Sequence, residues 1–492
     1  MFIIGCESAS TPADKAPGAP TEVTVTPTVG EVTLIWVAPT DTGIINGDGT
    51  AGTITDYKVY YSTTQGFAIS GVTPQAVGSV LTTTITGLSQ GTTYYFKVTA
   101  SNAAGESAPS EEANTRTNGI MYSAVFKDGT GGVDGLDSAY SVAVSQDGKN
   151  VYVAGSLDDA LAVFDRDTST GALTYSAVFK DGDTTGTAGV NVDGLGGAYS
   201  VAVSLDGKNV YVAGNNDKAL AVFTRNTTSG ALTYSTVFKD GSGGVDGLSG
   251  ARSVAVSEDG KNVYVAGFFD VALAVFDRDT STGALTYSTV IKDGNTTGTA
   301  GVNVDGLDGA NSVAVSEDGK NVYVTGFGDN ALAVFDRNTT SGALSYSTVI
   351  KDGEDLTGGG NVDGLSAAWS VTVSLDGKNV YVAGANDDAL AVFDRNTSTG
   401  ALTYSTVFKD GDALTGGGNV DGLDSAYSVA VSEDGKNVYV AGAADNALVV
   451  FTRDTTTGAL SYSTVIKNGD TITGGGNVDG LDGATSVAVS RD

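Results

Sequence analysis

The chain contains no histidine, and that one absence removes much chemistry. Neutral imidazole is the usual base, pH switch and metal ligand near pH 7, so Ser-His-Asp and Cys-His machinery is excluded. Cysteine occurs once, at Cys6, so no intrachain disulfide can form. Proline occurs 7 times. Cations are scarce: 26 Lys+Arg stand against 57 Asp+Glu, a formal net charge of −31. Such a field repels phosphate backbones and anionic headgroups and argues against a nucleic-acid partner. An acidic surface also serves solubility alone. The sequence has no run long and apolar enough to span a bilayer and no amphipathic helical stretch of ordinary length. Glycine, by contrast, is abundant at 69 of 492 residues, together with Val, Thr and Tyr. Strands joined by tight turns follow, and the fold class read from composition is all-β.

The N-terminus reads MFIIGCESASTPADKAPGAP. Ile3-Ile4-Gly5-Cys6 resembles a bacterial lipobox, and the Ser, Thr, Ala and Pro that follow suit a tether. The resemblance implies lipidation of Cys6, membrane contact through that anchor only, and residence in the bacterial cell envelope: outer surface, periplasm or extracellular space. A full signal needs a basic segment and roughly 7–15 apolar residues before the cysteine. Residues 1–16 are therefore expected to be a clipped signal and tether.

Residues 17–118 alternate short strand-like runs with turns: Thr21–Thr26, Glu31–Val37, Thr55–Ser62, Leu81–Thr86, Thr93–Ser101 and Glu112–Thr117. That density predicts a β-sandwich. The segment resembles a fibronectin type III domain: Trp36 lies in the second strand, and Leu88 to Val98 matches the tyrosine-corner segment with Tyr94 at the corner. Such modules in bacterial proteins are usually spacers, and no Arg-Gly-Asp is present to suggest integrin binding.

Residues 120–492 are one unit repeated. The first Ser of SVAVS (SVTVS once) recurs at 141, 200, 253, 312, 370, 428 and 486, a period of 53–59 residues. A period of that size means a propeller or solenoid. Each unit predicts four strands, here called a to d. In one copy they are Ser200–Ser204, Asn209–Ala213, Ala219–Arg225 and Ala231–Lys239, with Asp206-Gly207 as a hairpin turn. A d-like strand at Met121–Lys127 precedes the first a, and an a-like strand at Ser486–Ser490 ends the chain. Together they predict six full blades and an incomplete seventh lacking b and c. The expectation is a truncation of roughly 25 residues and an open or imperfect ring with exposed strand edges. The repeat, with KNVYVAG, ALAVFDR and TGAL, resembles the YVTN-type and lactonase-type propellers, including the seven-bladed 6-phosphogluconolactonase-like family.

In such a propeller the d–a and b–c loops share one face, the top. Two sets of residues vary among otherwise near-identical copies, and both fall there. The residue before each SVAVS reads Tyr140, Tyr199, Arg252, Asn311, Trp369, Tyr427 and Thr485, and should ring the mouth of the central channel. The b–c loops include Phe268, Phe269 and Phe327. Aromatics with Arg and Asn suit a sugar or a protein surface. The top loops are rich in Asp and the bottom hairpins carry the basic residues, for example Lys436 and Arg453. Asn361-Val362-Asp363-Gly364 and its copy at Asn419 and Asp421 resemble part of a calcium loop, although the first-position Asp is Gly359; Asp-Gly is also ordinary turn chemistry. Calcium is thus the one cofactor in view. Since nearly every Asp recurs in each blade, no catalytic pair stands out. The reading from sequence is a monomeric, non-catalytic cell-surface binding or scaffold protein with a glycan or protein ligand at the channel mouth. The alternative, implied by the resemblance, is a lactonase-type hydrolase in which Arg252 and an Asp act together.

Overall fold

The computed structural model describes residues 13–490 except 29–30, 47–49, 87, 89–91, 118–121, 185–190, 297–302, 357–359, 415–417 and 473–475. Cys6, Gly359 and Met121 therefore lie outside the described residues, as do residues 89–91 of the tyrosine-corner segment. Among the described residues no helix is long and apolar enough to cross a membrane. The chain divides into two compact units, Met1–Met121 and Tyr122–Asp492.

The first unit is a β-sandwich. One sheet runs Thr21–Thr28, Glu31–Val37, Thr82–Ile85. The other runs Ala113–Arg116, Thr93–Asn102, Asp56–Ser62, Gln75–Gly78, with Gly105–Glu106 on Thr93–Asn102. Alternate residues point inward, so Val32, Leu34 and Trp36 meet Tyr57, Val59, Phe96 and Val98 in one core. Trp36 packs on Tyr57 at 5.5 Å between ring centroids. The Gly-rich loop after strand two forms a two-residue ladder, Ile44–Ile45 against Thr50–Ala51.

The second unit holds six four-stranded antiparallel sheets, each paired in the order a-b-c-d. They span residues 139–180, 198–239, 251–292, 310–351, 368–409 and 426–467, here blades 1 to 6. Blade 2 shows why the repeat folds this way. Its strands are Ala198–Val203, Asn209–Gly214, Ala219–Arg225 and Leu232–Lys239. The a–b turn needs positive φ at Gly207, which is +66°. Ser204 Oγ donates to Asp206 Oδ1 at 2.7 Å and accepts from Asn209 N at 3.0 Å, closing the turn. Strand b is buried on both faces. Val210 and Val212 face blade 1, beside Tyr152 and Ala154, while Tyr211 and Ala213 face blade 3, beside Val263 and Val265. Five such inter-blade cores join the six blades. Each fully buried Val, Leu or Phe contributes about 1.5–3 kcal/mol.

Below the cores, the Arg that ends strand c is buried and reaches back to the preceding blade. Arg278 Nη2 donates to both oxygens of Asp206 at 2.9 Å and to Asn209 Oδ1 at 2.8 Å, and Nε donates to Tyr211 Oη at 2.9 Å. Arg225, Arg337, Arg395 and Arg453 pair likewise with Asp147, Asp259, Asp318 and Asp376, although Nε of Arg225 and Arg453 donates to Asn150 and Asn379 in place of a tyrosine.

Six inner strands and the segment 484–490 form a closed ring of seven. A Val N–H of each a-strand donates to the Ser Oγ of the a-strand before it: Val201 to Ser141, Val254 to Ser200, Val313 to Ser253, Val371 to Ser312, Val429 to Ser370 and Val487 to Ser428. Val142 to Ser486 at 3.3 Å completes the circle. The seventh position holds residues 484–490 inside and 122–127 outside. Lys127 pairs with Asp479 at 2.8 Å, as Lys180 pairs with Asp134, and Phe126 meets Phe164 at 5.0 Å, as Phe179 meets Phe223 at 5.3 Å. These are the a and d places of a blade. Neither segment is a strand in the structure, although the sequence pattern predicts one for each. Among the described residues no b or c strand stands between them to complete a ladder. The ring is therefore closed at its centre but imperfect at its seventh position, where the sequence reading expects an open or imperfect ring.

Candidate functional site

Six of the seven residues of the variable set before SVAVS are each the extra residue of a β-bulge; the seventh, Thr485, lies outside any strand and donates its hydroxyl to the Ala139 carbonyl at 2.9 Å. Ala198 faces Gly214 and Ser200 faces Ala213, which leaves Tyr199 without a register partner. The same shift occurs at Tyr140, Arg252, Asn311, Trp369 and Tyr427. Bulges re-aim side chains, and here they direct six unlike ones together at the top of the inner ring.

Those six meet. Tyr140 stacks on Tyr199 at 4.2 Å and 23°, and Trp369 stacks on Tyr427 at 4.4 Å and 22°. Phe327 sits edge-on to Trp369 at 5.8 Å and touches Phe268 at 5.9 Å. Arg252 lies among them. Its Cζ is 3.5 Å from the centroid of Phe268, 5.4 Å from Tyr199 and 5.9 Å from Trp369. Its Nη1 donates to Asn311 Oδ1 at 3.0 Å, and Asn311 Nδ2 donates onward to the Trp369 carbonyl at 2.7 Å. Nε is buried with no hydrogen-bond partner, and among the described residues no carboxylate pairs with this guanidinium. Burial lowers the Arg252 pKa and raises that of the Tyr199 hydroxyl. Arg252 nevertheless stays a cation, and Tyr199 is a poor proton acceptor. Phe269, 65% exposed, and Leu157, 70% exposed, are large apolar groups of the b–c loops open to solvent.

Two members of this region are absent from the sequence reading. Thr325 stands where the other copies of NVYVAG have Ala; it is fully buried, and its Oγ1 donates to the Trp369 carbonyl at 3.3 Å. Val271 occupies the b–c turn of blade 3 at φ +47°, where the other blades place Asp159, Lys218, Asn330, Asp388 and Asn446. A β-branched residue there is strained. Both signals were visible as departures from the repeat. Blade 3 thus supplies Arg252, Phe268, Phe269 and Val271, and the site is asymmetric in a way that the Asp pattern is not.

The calcium-loop residues lie elsewhere on the top face. Asp363 shares a cluster with Asp352 and Asp387, and among the described residues five further groups of this kind include Asp181, Asp193, Asp217 and Asp240, Asp246, Asp270. Each cluster also holds the lysine that ends strand d, which the sequence reading did not place there. Lys409 Nζ is 2.6 Å from Asp363, and Lys467 Nζ is 2.8 Å from Asp421. The cation beside these carboxylates is the chain's own ammonium group. Burial and neighbouring carboxylates still push Asp181, Asp240, Asp293 and Asp352 up, because three acids face one lysine. Asn361 and Asn419 are exposed; Asn361 pairs with Asp355 and Asn419 bridges to Ala413.

The comparisons with known proteins agree with this geometry. The family model described as "Lactonase, 7-bladed beta-propeller" matches residues 122–244, 238–409 and 356–471, and the fibronectin type III model matches residues 18–116. No curated protein matches the chain in sequence. Among solved structures, a candidate 6-phosphogluconolactonase from Bacteroides uniformis is 17% identical with a TM-score of 0.51, covering 87% of this chain and 98% of its own. Its counterpart from Bacteroides fragilis is 18% identical with a TM-score of 0.51, covering 84% and 95%. A Lactobacillus plantarum protein is 15% identical with a TM-score of 0.50, covering 88% and 98%. Those likenesses concern the fold. The family match spans most of the chain, which belongs to the seven-bladed β-propeller lactonases and carries a fibronectin type III domain ahead of the propeller.

Proposed function

We propose that the propeller hydrolyses a lactone, a cyclic ester, at the top face around Arg252. One observation carries this reading: a guanidinium enclosed by Tyr199, Phe268 and Trp369, with a buried Nε that has no partner. A cation held in low dielectric favours an oxygen that gains negative charge. Addition of water to a lactone's acyl carbon makes such an oxygen. The ring C–O bond then breaks, the ring oxygen leaves as the product's hydroxyl with one proton of that water, the other proton passes to solvent, and the product carboxylate carries a charge that Arg252 can hold. The aromatic faces and the exposed Phe269 suit a sugar-sized ring.

Membership of the lactonase family supports this reading over a non-catalytic role. The fold neighbours described as candidate 6-phosphogluconolactonases make 6-phosphogluconolactone the first substrate to try, with gluconolactone as its unphosphorylated counterpart. The binding role keeps one observation: the sequence has no histidine, and among the described residues no carboxylate pairs with Arg252 to act as base. Acid release from either lactone above the spontaneous rate supports hydrolysis. Saturable binding without turnover would favour the glycan or protein binder instead.

Two proposals rest on sequence motifs alone. Cys6 anchors the chain to a bacterial membrane, and Cys6→Ser should release it; a variant still in the membrane fraction removes the idea. Calcium binds the loops at Asn361–Asp363 and Asn419–Asp421; a rise in melting temperature on adding calcium supports this and no change removes it.

A further inference from the structure

Arg252 and Asn311 enter the site from two loops that are held differently from the rest. Where the chain turns into four of the inner segments, an acceptor in the b–c turn of the preceding blade ties the loop down. Asp159, Asn330, Asp388 and Asn446 accept from the N–H groups of Gly197, Ala367, Ser425 and Gly483 at 2.6–2.9 Å. Those loops lead into Tyr199, Trp369, Tyr427 and Thr485. For the loops that lead into Arg252 and Asn311, the same turn position holds Lys218 and Val271. Neither side chain carries an acceptor atom, so this tie cannot form at Gly250 or Gly309.

A second hold acts from the strand side, in blade 4. The residue facing Ser312 across the a–b ladder is Thr325, where the other copies have Ala154, Ala213, Ala266, Ala383 and Ala441. A hydroxyl has one proton to donate and lone pairs that accept, and here both are used. Thr325 Oγ1 accepts from the Ser312 N–H at 3.0 Å and donates to the Trp369 carbonyl at 3.3 Å. That carbonyl belongs to a bulged residue, outside the ladder register. Asn311, 4% exposed, donates to it as well, from Nδ2 at 2.7 Å. With Nδ2 turned to the carbonyl, Oδ1 faces the other way, and there it accepts from Arg252 Nη1 at 3.0 Å. One chain of bonds thus runs from Arg252 in blade 3 through Asn311 in blade 4 to the Trp369 backbone in blade 5, and Thr325 grips it in blades 4 and 5.

We propose that Thr325 is a positioning residue for Arg252, acting through Asn311. It fixes Ser312, the neighbour of Asn311, and it fixes the carbonyl to which the Asn311 amide is bound. The amide in turn sets the direction of the guanidinium, which lies 3.5 Å from the Phe268 centroid. Thr325 so supplies, from the buried side, the hold that Lys218 and Val271 leave out of the approach loops. This inference rests on the reading of Arg252 as the group that holds the lactone's acyl oxygen. A donor slightly out of place loses most where charge develops on that oxygen, so the loss falls on kcat and leaves KM nearly unchanged.

The test compares the full chain with Thr325→Ala and Thr325→Ser on gluconolactone and 6-phosphogluconolactone, with folding followed by calorimetry. Thr325→Ala puts back the residue that the other blades carry at this place, so the strand keeps its fold. Its kcat should fall about tenfold with KM changed by less than about twofold, and Thr325→Ser, which keeps the hydroxyl, should recover the rate. Wild-type kcat in Thr325→Ala, a loss confined to KM, or Thr325→Ser as slow as Thr325→Ala overturns the proposal. If the wild-type chain turns over neither lactone, the lactonase reading fails, and the positioning is read without substrate. The Arg252 Nε–H resonance, recognised by its absence in Arg252→Lys, should exchange with solvent at least about tenfold faster in Thr325→Ala than in wild type or Thr325→Ser. Equal exchange in wild type and Thr325→Ala overturns the proposal by itself.

Discussion

Replacing Arg395 with Ala tests the inter-blade network most severely. The side chain is fully buried. Its Nη2 donates to both Asp318 oxygens at 2.9 Å and to Asn321 Oδ1 at 2.7 Å, Nε donates to Tyr323 Oη at 2.9 Å, and Nη1 donates to the Gly377 carbonyl at 3.0 Å. Truncation strands all of these acceptors between blades 4 and 5. Breaking a buried pair by removing one partner costs about 3–5 kcal/mol. For a cooperative unit of this size that corresponds to a fall in melting temperature of roughly 1–2 °C per kcal/mol, so about 3–10 °C. Lys378→Ala is the control: Lys378 stands 3.7 Å from Asp376 with 48% of its side chain exposed, and its loss should cost less than about 1 kcal/mol. Calorimetry of the full chain should show the propeller transition moving and the sandwich transition staying. Acid adds a second signature. Burial alone pushes the Asp318 carboxyl up, but hydrogen bonds from Ser316, Arg395 and the Lys320 N–H outweigh it and hold the pKa below its ordinary value. A carboxyl held low stabilises the fold above its unfolded pKa, and that contribution disappears as pH falls through the folded value. The gap between wild type and Arg395→Ala should therefore narrow in acid. A melting temperature within about 1 °C of wild type at pH 7 would refute the reasoning.

Other perturbations address the top face. Val271→Asn places at φ +47° the residue type that Asn330 and Asn446 supply in other blades; it should stabilise by about 1 kcal/mol, read as a small rise in melting temperature. Asp352→Asn keeps an acceptor for the Leu365 N–H and removes a carboxylate that burial, Asp387 and Asp363 push up. Because a raised carboxyl opposes folding once it ionises, this variant should be more stable than wild type at pH 7, and the advantage should vanish in acid; equal stability at both pH values contradicts the cluster electrostatics.

Much of the fold is legible in the chain because the repeat prints its own register. Strand c of blade 2, Ala219–Arg225, has the bounds the pattern predicts, and strands a, b and d differ by one or two residues. The candidate site was legible for the same reason: Tyr199, Arg252 and Trp369 stand out as unlike residues in like copies. Their cage was not, because a bulge aims each side chain and periodicity does not report aim. The top-face lysines escaped notice because Lys409 ends a strand while Asp363 sits in a loop 46 residues earlier; only the closed sheet brings them to 2.6 Å. The closed ring also depends on Val142 and Ser486, near opposite ends of the repeat region, a contact that no local pattern encodes.

The measurement closest to the central claim is kcat/KM on 6-phosphogluconolactone and gluconolactone for wild type and Arg252→Ala, with folding checked by calorimetry. If Arg252 stabilises the oxyanion, wild type turns over at least one of them above background and the variant loses about 10²–10³ in kcat. Equal rates for the two proteins, or no rate above spontaneous hydrolysis for either, would contradict the account.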